Sequence, residues 1–153
     1  VGIDNVLHGV LTELDLLLTS EHISCELALD ENLSGLVVSK NRLTLVVRNL
    51  VMNSMDAMSH TEGRLKIEGR RDGDYIHLCI CDNGCGIRTD LQELVFEPFF
   101  STKSEVEGAG LGLSVAYGTM KSIGGTITFS SIPGKGACFS VYVPVTPGTA
   151  LSQ

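Results

Sequence analysis

At 153 residues, with 43% hydrophobic and 19% charged side chains, the chain has the size and make-up of one soluble globular domain that can bury a substantial core. Its formal net charge of −7, from 18 acidic against 11 basic residues, leaves no basic footprint for nucleic acid, and no nucleic-acid partner is expected. No apolar run approaches the roughly 20 residues of a membrane span, and the amino terminus lacks a signal-peptide pattern, so a cytoplasmic setting is expected.

Ile3, Val6, Leu7, Val10, Leu11, Leu14, Leu17 and Leu18 recur at helical spacing and predict one amphipathic helix over 3–18. Residues 22–30 alternate, with Ile23, Cys25, Leu27 and Leu29 on one side, as a half-buried strand does. After a loop at 32–35 and a short apolar piece at 36–38, a second helix begins near Asn41. Leu43, Val46, Val47, Leu50, Ser54 and Ala57 supply its buried stripe. Asn49, Asn53 and Asp56 follow the same i, i+4, i+7 spacing but are rotated by about 100° from Leu50, Ser54 and Ala57, so they border the stripe. Two carboxamides and a carboxylate at the rim of a core offer oxygen ligands to a hard cation, and neutral carboxamides sit beside phosphate without repelling it. Taken alone, the same stripe reads as a solvated helix flank.

A polar turn at 59–63 leads to strands at 64–70 and 75–82, joined by Arg71-Asp72-Gly73-Asp74, which is hairpin chemistry. The second of these strands is nearly all apolar and therefore central. From Asp82 to Gly110 the only regular element expected is a short helix at 90–95; Phe96, Phe99 and Phe100 cluster around Pro98, and 101–109 is polar, with the character of a lid. A helix over 111–123 stops at Gly124-Gly125. Strands at 126–131 and 137–143 flank the turn Pro133-Gly134-Lys135-Gly136, and the last residues form a tail. The domain is expected to span 1–146 and the tail 147–153.

The cysteines, Cys25, Cys79, Cys81, Cys85 and Cys138, are odd in number and accompany no secretory signal, so reduced thiols are expected. His77, Cys79 and Cys81 share a strand face, but their spacing is not that of a CxxC knuckle, and ordinary buried cysteine is the favoured reading.

Three glycine-rich features punctuate the order. In Asp82-x-Gly84-x-Gly86-Ile87 a carboxylate leaves the end of a buried strand, and the glycines allow another molecule close to the backbone. A buried Asp needs a donor, which a ligand amino group would supply. In Gly108-Ala109-Gly110-Leu111-Gly112-Leu113 glycines open a helix whose free N–H groups and positive dipole end suit phosphate. The third feature is Gly134-Lys135-Gly136. Each alone is most often just a turn; their conjunction and order carry the weight.

The run from Asn49 to Ala57 resembles the N box of the catalytic and ATP-binding domain of sensor histidine kinases, Asp82 to Ile87 resembles its G1 box, Phe96 to Lys103 its F box and Gly108 to Leu113 its G2 box. The resemblance covers nearly the whole chain. It implies an α+β, two-layer sandwich of the Bergerat type shared with gyrase, Hsp90 and MutL, with a mixed, mostly antiparallel sheet of about five strands, three helices on one face and a mobile ATP lid. The ligands implied are ATP or ADP and Mg²⁺. Carried over by position, Asn53 would ligate the metal and Asn49 would assist on the phosphate side. Asp82 would accept from the adenine amino group, with Gly84, Gly86 and Ile87 lining the base. Gly108, Gly110 and Gly112 would bring N–H groups to the phosphates, flanked by Leu111 and Leu113. Lys103 would add positive charge as the lid closes, with Phe99, Ser101 and Thr102 beside it. Asp56 and Ala57 complete the N-box side. The partners implied are a dimerisation and histidine-phosphotransfer domain and, indirectly, a response regulator. A monomeric piece of a protein that is homodimeric at full length, and that can be the cytoplasmic portion of a membrane-anchored sensor, is the picture that follows.

Departures from the family pattern are informative. Many members carry Lys three residues after the metal-ligating Asn and Tyr one residue later, where this chain has Asp56 and Ala57. Asp56 is assigned, as a hypothesis, to an ordered water or the metal shell. The superfamily's hydrolases usually carry Glu four residues before that Asn; Asn49 stands here and cannot act as a base, which favours transfer over hydrolysis. His8, His22, His60 and His77 all lack the family's phosphoacceptor context. A protein-histidine kinase catalytic domain is thus the leading reading, against an ATP-driven clamp and a degenerate nucleotide-binding module.

Overall fold

The computed structural model describes residues 2–33, 36–58, 62–87, 89, 92, 112–144 and 146–147. Helix α1 (Ile3–Glu13) buries Ile3, Val6, Leu7 and Val10, the residues its periodicity picks out. The single helix expected over 3–18 is corrected: it breaks at Leu14, whose ψ of 5° leaves the helical region, and α2 (Asp15–Ser20) follows. Leu14 and Leu18 are both buried in the core, while Leu16 stays 83% exposed. Val10, Leu14 and Leu18 keep the i, i+4 spacing of one apolar stripe across the break, so the periodicity does not mark it.

Strand β1 (Ile23–Leu29), a 3-10 turn at Glu31–Leu33 and β2 (Leu36–Val37) lead into α3 (Lys40–Ala57). Then come β3 (Gly63–Asp72), β4 (Tyr75–Asp82), α4 (Gly112–Ser122), β5 (Thr126–Ile132), β6 (Gly136–Pro144) and β7 (Thr146–Pro147). Among the described residues the main sheet has five strands in the order β1-β3-β4-β6-β5. Only its β1–β3 pair is parallel, and the others are antiparallel. This is the mixed, mostly antiparallel α+β sheet expected. Pro147, read as the first residue of the tail, instead pairs with Leu36 in a separate two-stranded ribbon of β2 and β7.

Alternation gives the sheet two unlike faces. Leu65 and Ile67 of β3, Leu78 and Ile80 of β4, Phe139 and Val141 of β6 and Ile127 of β5 are buried in one cluster with Leu43, Val47 and Leu50 of α3 and Ala116 and Met120 of α4. The opposite face carries Lys66 and Glu68 of β3, then Cys79 and Cys81, then Cys138 and Ser140, all exposed or half-buried. Gly124 and Gly125 end α4 as expected, the Gly125 N–H closing on the Met120 carbonyl at 2.8 Å.

The expectation of five reduced thiols is also corrected. Cys81 and Cys138 are cross-strand partners on β4 and β6 with Cα atoms 4.0 Å apart, and they form a disulfide; Cys25, Cys79 and Cys85 are free. A cysteine count cannot say which strands will pair, and it is the register that brings these two together.

Candidate functional site

The same alternation that buries Leu78 and Ile80 carries Asp82 to the helix side at the end of β4, where it is 9% exposed. Its Oδ1 accepts the Gly84 N–H at 2.9 Å. Burial pushes the Asp82 carboxyl above the ordinary carboxylate range, and the Gly84 N–H, the Ser54 hydroxyl and the Ala137 N–H pull it partly back. Ser54 projects from α3 and is fully buried. Its hydroxyl lies close enough to steady the carboxylate but completes no hydrogen bond of good geometry. An acceptor-rich carboxylate and a hydroxyl with unused capacity therefore share one buried spot.

The loop after Asp82 is tied on three sides. The Cys85 N–H donates to the Ala57 carbonyl at the end of α3 at 3.0 Å. A Cβ on Gly84 would collide with that carbonyl, so only glycine lets the helix end and the loop approach this closely. Toward β3, Asn83 Oδ1 accepts the Arg64 N–H at 2.7 Å and its Nδ2 donates to the Glu62 carbonyl at 3.1 Å. Toward the β5–β6 hairpin, the Gly134 N–H donates to the Cys85 carbonyl at 2.7 Å. The Ile87 N–H donates to Ser131 Oγ at 2.7 Å, and Ser131 Oγ donates to the Gly136 carbonyl at 3.1 Å. Gly86 has φ of +73°, and a Cβ there would stand 2.6 Å from the Ile132 carbonyl.

Among the expected site residues, the structure thus brings Asp82, Gly84, Gly86 and Ile87 into one fixed loop against Ala57. Asn49 and Asn53 are half-buried along α3, whereas Asp56 is exposed. Gly112 opens α4, and Leu113 packs at the edge of the core. Phe99, Ser101, Thr102, Lys103, Gly108, Gly110 and Leu111, with the lid and all of the short helix expected at 90–95 except Gln92, lie outside the described residues. The third glycine feature is structural: a Cβ on Gly136 would run into the Asp82 carbonyl, so the glycine lets β6 close on the end of β4.

Sequence reasoning missed Ser54, Asn83 and Ser131. Ser54 counted only as a small residue in the apolar stripe; a hydroxyl in that stripe facing a buried strand end was the available signal. Ser131 carried none, because its role depends on the hairpin's docking.

A carboxylate held ready in this way, beside an incompletely used hydroxyl, suits a ligand that offers both N–H donors and ring-nitrogen acceptors, as a purine does. In a two-layer α+β sandwich this marks the class of nucleotide-binding ATPase domains. The profile described as histidine kinase-, DNA gyrase B- and HSP90-like ATPase matches residues 38–147, and the chain belongs to that family. It is 35% identical over 127 residues to the sensor histidine kinase ZraS of Salmonella typhimurium, covering 82% of this chain and 27% of ZraS. To the signal transduction histidine-protein kinase AtoS of Escherichia coli it is 36% identical over 120 residues, covering 78% of this chain and 19% of AtoS. The chain thus spans about a quarter or less of these relatives. Among solved structures, the catalytic domain of histidine kinase ThkA superposes with a TM-score of 0.84 at 25% identity, over 96% of this chain and 95% of that one.

Proposed function

We propose that this domain binds Mg·ATP and passes the γ-phosphoryl group to a histidine on a separate dimerisation and phosphoacceptor domain. The observation that carries the reading is the buried Asp82 carboxylate beside the unsatisfied Ser54 hydroxyl. Asp82 would accept from the exocyclic amino group of adenine, and Ser54 would complete its hydrogen bonding at the same edge. The loop of Gly84, Gly86 and Ile87, already tied to α3, β3 and the β5–β6 hairpin, would hold the base without reorganising, which lowers the entropy cost of binding.

The side chains along the rim of α3 fit a hard cation by their chemistry, being carboxamide and carboxylate oxygens with no soft ligand among them. Asn53 would hold Mg²⁺, with Asn49 on the phosphate side and Asp56 toward the outer shell. When bound, the ion supplies neutralisation of phosphate charge. A carboxamide cannot take a proton from water, so with Asn49 in this position the site has no general base there, and transfer to an external acceptor is favoured over hydrolysis. Lys103 and the glycines Gly108, Gly110 and Gly112 would serve the phosphates. The acceptor domain and a response regulator would be supplied by other parts of the system.

The test is phosphorylation in trans. The chain, radiolabelled ATP and the dimerisation domain of the same protein should yield acid-labile phosphohistidine on the acceptor, and the chain alone should yield neither phosphohistidine nor steady phosphate release. Steady ATP turnover by the chain alone would point to a hydrolase, and nucleotide binding with no transfer to the supplied acceptor would point to a degenerate module.

A further inference from the structure

At its carboxy end β4 puts the proposed base-recognising carboxylate and a disulfide side by side on opposite faces. Asp82 turns toward the helices, and its neighbour Cys81 projects from the other face and is bonded to Cys138. Cys138 adjoins Ala137, which pairs with Asp82 in the ladder and whose N–H approaches the carboxylate. Gly136 follows, packed against the Asp82 carbonyl, and Ser131, one strand over, links Gly136 to Ile87. Each of these contacts depends on β6 holding the end of β4 at a fixed distance. The crosslink sits one residue from the Asp82–Ala137 pair.

The disulfide is also open to chemistry. Cys81 and Cys138 are half-buried on a face that no helix covers among the described residues. On the same face Cys79 is a free, half-buried thiol with its Sγ 3.3 Å from His77 Nε2 and 3.8 Å from Ser140 Oγ, and His77 stacks on Tyr142 at 4.5 Å.

We propose that Cys81–Cys138 is a redox latch on the nucleotide site, opened by a dithiol reductant, with the oxidised domain binding nucleotide more tightly. The inference rests on the nucleotide reading above. In opening, one thiolate of the dithiol attacks Sγ of Cys81 or Cys138, the protein S–S bond breaks, and a mixed disulfide forms. The second thiolate then displaces the remaining protein sulfur and leaves as the cyclic disulfide. Two electrons and two protons pass to the protein, which ends with two thiols. Closing is the reverse exchange with an external disulfide. Opening frees β6 to shift against β4, so Ala137, Gly136 and the Ser131–Ile87 link no longer fix Asp82 and its loop in advance of binding, and the cost of ordering them falls on the ligand.

The experiment compares oxidised and reduced forms of the 153-residue chain. Alkylation with mass analysis should modify three cysteines, Cys25, Cys79 and Cys85, before reduction and all five after it. Calorimetric titration with ADP should give about fivefold or more weaker binding after reduction, the range of a coupling between sites. A Cys81→Ser, Cys138→Ser double variant should bind like the reduced chain and ignore reductant. Five alkylated cysteines before reduction, equal affinity in both states, loss of the far-ultraviolet circular dichroism of the fold on reduction, or a double variant that still responds to reductant would each overturn the latch. Absence of ADP binding in both states would instead remove the nucleotide reading itself.

Discussion

Along β4, Ile76, Leu78, Ile80 and Asp82 turn to the helices and are buried, whereas Tyr75, His77, Cys79 and Cys81 turn the other way, where His77, Cys79 and Cys81 meet side chains of β6. The first face is positioned by packing: Asp82 is placed because Leu78 and Ile80 before it must be buried against α3 and α4. The second is positioned by register: His77 meets Tyr142, Cys79 meets Ser140 and Cys81 meets Cys138 because those residues are opposite each other in the ladder. One strand therefore serves two purposes by two different physical means, and the two converge at the Asp82–Ala137 pair.

The largest contrast is in stability. Ile80→Ala, which empties a fully buried position, should cost about 2–5 kcal/mol, and Cys79→Ala on the other face less than about 1 kcal/mol. Urea unfolding of both variants measures it, and comparable losses would break the contrast between the faces. Ser131→Ala should come next, at about 1–3 kcal/mol, because the Ile87 N–H and the Gly136 carbonyl both lose their partner. In hydrogen exchange the increase should concentrate in the loop after Asp82 and spare β3.

A smaller effect separates Asp82 from its apolar neighbours by its dependence on pH. Because burial raises its pKa in the folded chain, the native state holds the proton over a window in which the unfolded chain has released it. Stability should therefore fall as pH rises from the ordinary carboxylate value through the raised one, and level off above. Asp82→Asn lacks this slope, so thermal melts should show the variant gaining on the wild type as pH rises through that window; a gain toward acid would contradict the burial argument. The smallest effect belongs to the helix layer's own surface. Arg48 and Glu13 pair at 3.1 Å with side chains 38% and 49% exposed, and a double-mutant cycle should find less than about 1 kcal/mol, reduced further by salt.

Much of the packed face was legible. Strict alternation in β3, the apolar run of β4 and the buried stripe of α3 state which side is covered, and Asp82 at a strand end followed by Gly84 and Gly86 announces a loop that something approaches. The break at Leu14 was not legible, because the helical spacing of Val10, Leu14 and Leu18 runs through it unchanged. Nor was the register face: nothing local distinguishes Cys81 and Cys138 from Cys79, and their bond exists only once β4 lies beside β6. Ser54 was visible yet misjudged, since a serine in an apolar stripe looks like a small filler until the carboxylate it faces is known. Ser131 depends on a hairpin docking onto a loop 44 residues away in sequence, which no local pattern encodes.

In the function proposed, the buried carboxylate at the end of β4 recognises a purine nucleotide. Calorimetric titration of ATP with Mg²⁺ into the wild-type chain and into Asp82→Asn tests it most directly. The amide would present N–H donors to the adenine amino group, so saturable single-site binding to the wild type should weaken by about ten- to a hundredfold in the variant while the fold is retained. Equal affinity of the two proteins for ATP would contradict it.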